Sequence, residues 1–90
     1  MSSTSKKHRD FVREPIGNKC VHDLPGIGGA YGHRLNNSGY GSARQVVGQY
    51  LVQGGSEPAF RDFLRSEGGV NNKSSGDCYR AVRDWTDNHM

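Results

Sequence analysis

Thirteen of the 90 residues are glycine. Glycine allows left-handed turns but weakens the interior of a helix or strand. Gly17, Gly26, Gly28, Gly39, Gly54, Gly55, Gly68 and Gly69 therefore cut the chain into short pieces. None of these pieces alternates apolar and polar residues for long enough to make a strand. Most show helical spacing instead, which predicts an all-α fold of short helices joined by tight turns.

Ser5 can cap a first helix carrying Phe11 and Val12, which must stop near Glu14 because Pro15 disfavours helical geometry in the residue before it. Ile16-Gly17-Asn18 reads as a turn, and residues 19–24 as one or two helical turns. Ile27, Ala30, Tyr31 and Leu35 recur at helical intervals, and Gly39 is a natural stop. Ser42 caps a helix whose Ala43, Val46, Val47, Tyr50 and Leu51 form the cleanest amphipathic stripe in the chain. Ser56 caps another, with Pro58 in its first turn and Ala59, Phe60, Phe63 and Leu64 on one face. The last helix begins between Asn71 and Ser75, runs to about Asn88, and buries Cys78, Ala81, Val82 and Trp85. The expectation is a compact bundle of five short helices forming a single domain over residues 1–90.

Only 32% of the residues are hydrophobic. A domain of this size buries roughly 60–65% of its unfolded surface and is marginal alone. Association with a second copy is one standard remedy. No apolar run approaches ~20 residues, so no transmembrane helix is expected. The first seven residues lack the apolar stretch of a signal peptide. Two cysteines, Cys20 and Cys78, cannot build a disulfide scaffold, so reduced thiols in an intracellular protein are expected. Net charge is +3. Residues 1–50 hold seven basic and three acidic groups, while residues 51–90 hold five and six. A basic face favours polyanions, although a solvated surface with some excess arginine has the same composition.

The most chemical motif is Leu24-Pro25-Gly26-Ile27-Gly28. An apolar-x-Gly-apolar-Gly turn between helical segments is the pattern of a helix-hairpin-helix. The glycines permit positive φ and close backbone approach, and Ile27 anchors the turn in the core. The first amides of the following helix lack intrahelical partners and carry the positive end of its dipole, which suits a phosphate oxygen. An ordinary tight turn has the same residues. A nucleotide-binding P-loop does not fit, because no strand precedes the turn and no Gly-Lys-Ser/Thr follows it. Lys6, Lys7, Arg34 and Lys73 are available to add side-chain charge.

Other chemistry finds little support. Cys20-Val21-His22 offers two metal ligands, with His8, His33 or Cys78 as additions, but the spacing of a zinc module is absent. Cys20 would be a nucleophile only beside a positioned base. No acidic pair suggests acid–base work. No cofactor, metal or enzymatic activity is expected.

The chain resembles the barrier-to-autointegration factor family. Matching stretches are Lys7-His8-Arg9-Asp10-Phe11-Val12, Glu14-Pro15-Ile16-Gly17, Gly26-Ile27-Gly28 and Val47-Gly48-Gln49-Tyr50-Leu51-Val52. Phe60-Arg61-Asp62-Phe63-Leu64, Asp77-Cys78-Tyr79 and Arg83-Asp84-Trp85 continue the match in register to the C-terminus. The resemblance implies a five-helix, SAM-like fold containing a helix-hairpin-helix, and an obligate homodimer. It implies sequence-independent binding of double-stranded DNA, with two sites on opposite sides of the dimer that bridge two duplexes. It further implies LEM-domain proteins of the inner nuclear membrane, lamins and histones as partners, without direct membrane insertion. The implied roles are chromatin organisation, nuclear-envelope assembly and a block on self-integration of retroviral DNA. The implied location is the nucleus, its chromatin and its envelope, with some cytoplasmic protein.

Carried over by resemblance, the DNA-contacting positions are Lys6, Lys7, Gly26, Ile27, Gly28, Ala30, Arg34, Asn72 and Lys73. The dimer interface is expected at Val46, Val47, Tyr50 and Leu51, and phosphorylation at Ser3, Thr4 and Ser5. Phosphate there would repel the DNA backbone. Three departures stand out. Gly76 replaces an arginine usual in the family, Gln53-Gly54-Gly55 replaces a more apolar and basic stretch, and Phe63 replaces a tryptophan. The last two bear on the groove where LEM-domain proteins bind. The alternative is a helical protein-interaction module that has lost DNA binding. A Gly26→Glu change is expected to abolish DNA binding and leave helicity intact.

Overall fold

The computed structural model describes residues 5–90. Five α-helices follow one another: α1 (Lys6–Arg13), α2 (Gly29–Asn37), α3 (Ala43–Val52), α4 (Glu57–Gly68) and α5 (Asn72–His89). The segment at residues 19–24 is tighter than an α-helix, a single 3₁₀ turn at Val21–Asp23. Its neighbourhood explains this. Val21 N donates to Gly41 O and Ala43 N to Lys19 O, both at 3.0 Å, which fastens the segment across the chain and leaves no room for a longer helix. Among the described residues no strand forms.

The helix starts follow from local chemistry. Ser5, Ser42, Ser56 and Asn71 each accept from the amide three residues on, which satisfies one of the donors orphaned at a helix start. Glu14 takes extended geometry before Pro15 and ends α1. The carbonyls this leaves are taken up by α5. Trp85 Nε1 donates to Glu14 O at 3.0 Å, and Asn88 Nδ2 donates to Val12 O at 3.2 Å. His89 stacks on Trp85 with ring centroids 4.7 Å apart.

One contiguous core holds the helices together. α5 packs on α1 and α4, and α2 packs on α4. Phe60 is fully buried at the centre, with Tyr50, Phe63 and Tyr79 around it at centroid distances of 5.7–6.1 Å. Each such ring contributes on the order of 2–3 kcal/mol by burial. The radius of gyration, 11.6 Å, is close to the ~12 Å of a well-packed chain of this length.

Candidate nucleic-acid interface

The Pro25–Gly28 turn lies against the start of α5. Leu24 and Ile27 are buried beneath it, and Ile27 N closes the turn on Leu24 O at 3.1 Å. Gly26 has φ +84, and a Cβ there would meet the Ser74 carbonyl oxygen and lie 3.3 Å from Asp77 Cβ. Gly26→Glu would therefore strain the turn itself, so a loss of binding in that variant would not by itself locate the interface. Gly28 is different. It caps α2 at φ −91, ψ −167 with no side-chain hydrogen bond, and a Cβ on Gly28 or Gly29 would meet open space. α2 thus begins with uncapped amides at a glycine surface. A phosphate oxygen can approach such a helix start closely.

Cations surround this turn. Lys7 Nζ donates to Ile27 O at 3.4 Å, which holds its ammonium at the turn's rim. Lys6 is exposed, pairs with Asp10 at 2.7 Å, and lines a separate recess with Glu14, Lys19 and Asp23. The Lys6 hydrogen bond holds the Asp10 carboxyl below its ordinary pKa. Lys73 is exposed and pairs with Asp77 at 3.2 Å. A cleft beside the turn is lined by Ser5, His8, Gly26, Lys73, Arg80 and Arg83, with Asp77 and Asp84 among them. His8 Nε2 and Asp84 Oδ2, 3.0 Å apart, tie α1 to α5 along its wall. Basic residues from both halves of the chain meet here, so the charge difference between the halves does not describe this surface.

Ala30 is exposed and shares a second recess with Gly26, Gly28 and Ser74. Asn72 starts α5, and its carbonyl and Oδ1 both accept from Arg61 Nη2, at 2.7 and 3.2 Å. Arg34 is engaged elsewhere. Its Nε donates to Gly68 O at 2.8 Å and its guanidinium lies 5.5 Å over the Tyr31 ring, so it closes the end of α4. Ser5 accepts from His8 N at 3.1 Å as the cap of α1. Ser3 and Thr4 lie outside the described residues.

The α3 stripe turns inward. Val46, Val47 and Tyr50 are 0%, 5% and 8% exposed within the chain itself, whereas Leu51 and Val52 are 46% and 80% exposed. Val52 lies outside the helical stripe, and its only signal was an apolar residue next to Leu51. The Gln53-Gly54-Gly55 departure has a local cause. Gly54 and Gly55 take φ +66 and +77 to turn the chain into α4, and Gly55 O receives the Tyr79 hydroxyl at 2.9 Å. Phe63 and Tyr40 meet edge to face, with ring centroids 4.7 Å apart.

Cys20 Sγ stands 3.9 Å from His22 Nδ1, and among the described residues no third His, Cys, Asp or Glu joins them in a metal-binding group. Cys78 is fully buried, and burial pushes its thiol up to about 12.

Fold and site together define a small, all-helical protein built around a Gly-x-Gly turn whose first arm is a single 3₁₀ turn. The family model described as Barrier to autointegration factor matches residues 2–89, and the chain belongs to this family. It is 48% identical to the Barrier-to-autointegration factor of Danio rerio over 90 residues, all of both chains. It is 43% identical to that of Drosophila melanogaster, again over the whole of both. The Homo sapiens protein is 46% identical over 85 residues, 94% of this chain and 96% of the relative.

Proposed function

We propose that this chain is a non-catalytic binder of double-stranded DNA, acting as one domain over residues 1–90 and without sequence preference. The carrying observation is the uncapped start of α2 at Gly28, open to solvent and flanked by Lys7 and Lys73. Main-chain amides and ammonium groups grip phosphates and read no bases. Lys6, Lys7, Gly26, Gly28, Ala30, Asn72 and Lys73 form the contact surface, with Ile27 anchoring it from below. Arg34 acts on the fold behind it.

A homodimer would present two such surfaces, related by a two-fold axis, and would bridge two duplexes by raising the local concentration of the second. The exposed Leu51–Val52 corner, backed by Val46, Val47 and Tyr50, is the seam we assign to it. Family membership supports the cellular setting: chromatin and the nuclear envelope, with LEM-domain proteins, lamins and histones as partners, and some protein in the cytoplasm. Among the described residues no helix is long and apolar enough to cross a membrane. Phosphate added at Ser5 would place negative charge at the cleft wall, and phosphorylation at Ser3, Thr4 or Ser5 would oppose DNA.

Fluorescence anisotropy with two unrelated duplexes at increasing salt tests the reading. Affinities should agree between duplexes and fall by roughly 0.9 log units per phosphate contact for each log unit of salt. A strong preference for one duplex overturns sequence independence. Failure to bind either favours the protein-interaction module.

A further inference from the structure

Gly76 is buried in α5, and two arginines lie over it. A Cβ at this position would stand 2.9 Å from Arg61 Nη2 and 3.4 Å from Arg80 Nη1. The space that a side chain at 76 would use is therefore occupied by guanidinium groups from elsewhere. The two are not equivalent. Arg61 is only 28% exposed and fully engaged: Nη1 on Glu57, Nε on Ser75 Oγ, and Nη2 on the Asn72 carbonyl and Oδ1. Arg80 is 52% exposed, and among the described residues its hydrogen bond is the one from Nη2 to Asp77 Oδ1, at 2.6 Å. Its Nε and Nη1 make no hydrogen bond among the described residues.

Asp77 fixes where Arg80 points. Its two carboxylate oxygens hold Lys73 from one side and Arg80 from the other. Its Cβ lies under Gly26, so the pair of cations stands directly beside the turn. Lys73, Arg80 and Gly26 line the same cleft.

We infer that Arg80 is a phosphate-binding residue of the DNA interface, positioned by Asp77 beside Lys73, and that it supplies the positive charge that Gly76 does not. The inference rests on the proposed DNA-binding reading. A guanidinium suits this role because its planar fork can keep the carboxylate on one edge and take a phosphate on another.

The test compares the unaltered chain with Arg80→Ala, Arg80→Lys and Arg13→Ala. Arg13 is an equally charged, exposed residue at the far end of α1. Affinity for a random duplex is measured by anisotropy at four salt concentrations, with circular dichroism to check the fold. Arg80→Ala should bind roughly fivefold more weakly, as for loss of an exposed ion pair. Its salt slope should fall by about one. Arg80→Lys should keep the slope, and Arg13→Ala should match the unaltered chain. Unchanged slope in Arg80→Ala, with the unaltered chain binding normally, overturns this inference and leaves the DNA reading standing. An equal loss in Arg13→Ala overturns it too, because the effect is then one of net charge. Failure of the unaltered chain to bind overturns both.

Discussion

The carbonyl oxygen of Ser74 occupies the place that a Cβ on Gly26 would need. The hairpin turn and the first turn of α5 are in backbone contact at that point, with no side chain between them. This contact brings Lys73 and Asp77 to the turn, and it makes Gly26 a structural residue first.

Gly26→Ala should therefore destabilise the protein. A left-handed residue with a Cβ costs about 1–2 kcal/mol, and the collision with the Ser74 backbone adds to it. A loss of about 2–4 kcal/mol in urea unfolding is expected, with weaker DNA binding following from the displaced turn. A midpoint equal to that of the unaltered chain would show that the turn can move off α5.

Gly28→Glu separates binding from folding. At φ −91, with nothing within 4 Å of the place a Cβ would take, Gly28 has room for a side chain to start without strain. A carboxylate at a helix start is mildly stabilising, by about 0.3–1 kcal/mol. The same carboxylate takes the place of a phosphate. Thermal stability should hold or rise slightly while DNA affinity falls at least about tenfold, a factor worth roughly 1.4 kcal/mol of binding. Retained affinity would remove the α2 start from the interface.

Leu51 and Val52 offer the test of self-association. Val47 and Tyr50 are needed by the chain's own core, so changing them confuses folding with assembly. Leu51→Glu with Val52→Glu should leave helicity unchanged and convert a dimer into a monomer in sedimentation equilibrium. Bridging of two duplexes should be lost, and binding to one duplex should remain.

The two cysteines should differ in their reactivity toward a thiol reagent. Cys20 is exposed and Cys78 buried. Ellman's reagent should count one thiol in the native protein and a second only in denaturant. The buried thiol also sets a pH limit. Its native pKa, about 12, lies above the ordinary 9.0, so the native state holds its proton longer than the unfolded state. The sign follows: stability is undiminished below pH 9 and falls as pH rises from there toward 12, at up to about 1.4 kcal/mol per pH unit. Tyr79, also raised by burial, acts in the same direction. Replacing Cys78 with alanine should flatten that decline in alkaline urea unfolding.

The caps at Ser5, Ser42 and Ser56 and the stop at Pro15 are legible in the sequence because a cap depends on the three or four residues that follow it. The same is true of the Gly-x-Gly turn. What the sequence hides is which long-range partner each residue meets. The shortening at Val21–Asp23 is imposed by Gly41 and Ala43, about twenty positions away. Periodicity identifies Val46, Val47 and Tyr50 as apolar and aligned, but a stripe does not say whether a chain covers it alone. Arg34 and Arg80 look alike as exposed basic residues. Only the fold sends one to the Gly68 carbonyl and the other to Asp77 beside the turn.

Lys73 and Arg80 each reach the candidate interface already held by a carboxylate, Asp77, and Lys6 is held likewise by Asp10. At the lysines an arriving phosphate exchanges places with that carboxylate, while at Arg80 it joins the carboxylate on the guanidinium, and in neither case does it meet a bare charge. Each contact then has a rival within a few ångströms, ready to reclaim the cation when the phosphate moves. Such a surface favours a short residence time at any one position and easy stepping to the next. Persistence on a long polyanion would come from the number of contacts and not from the grip of each one.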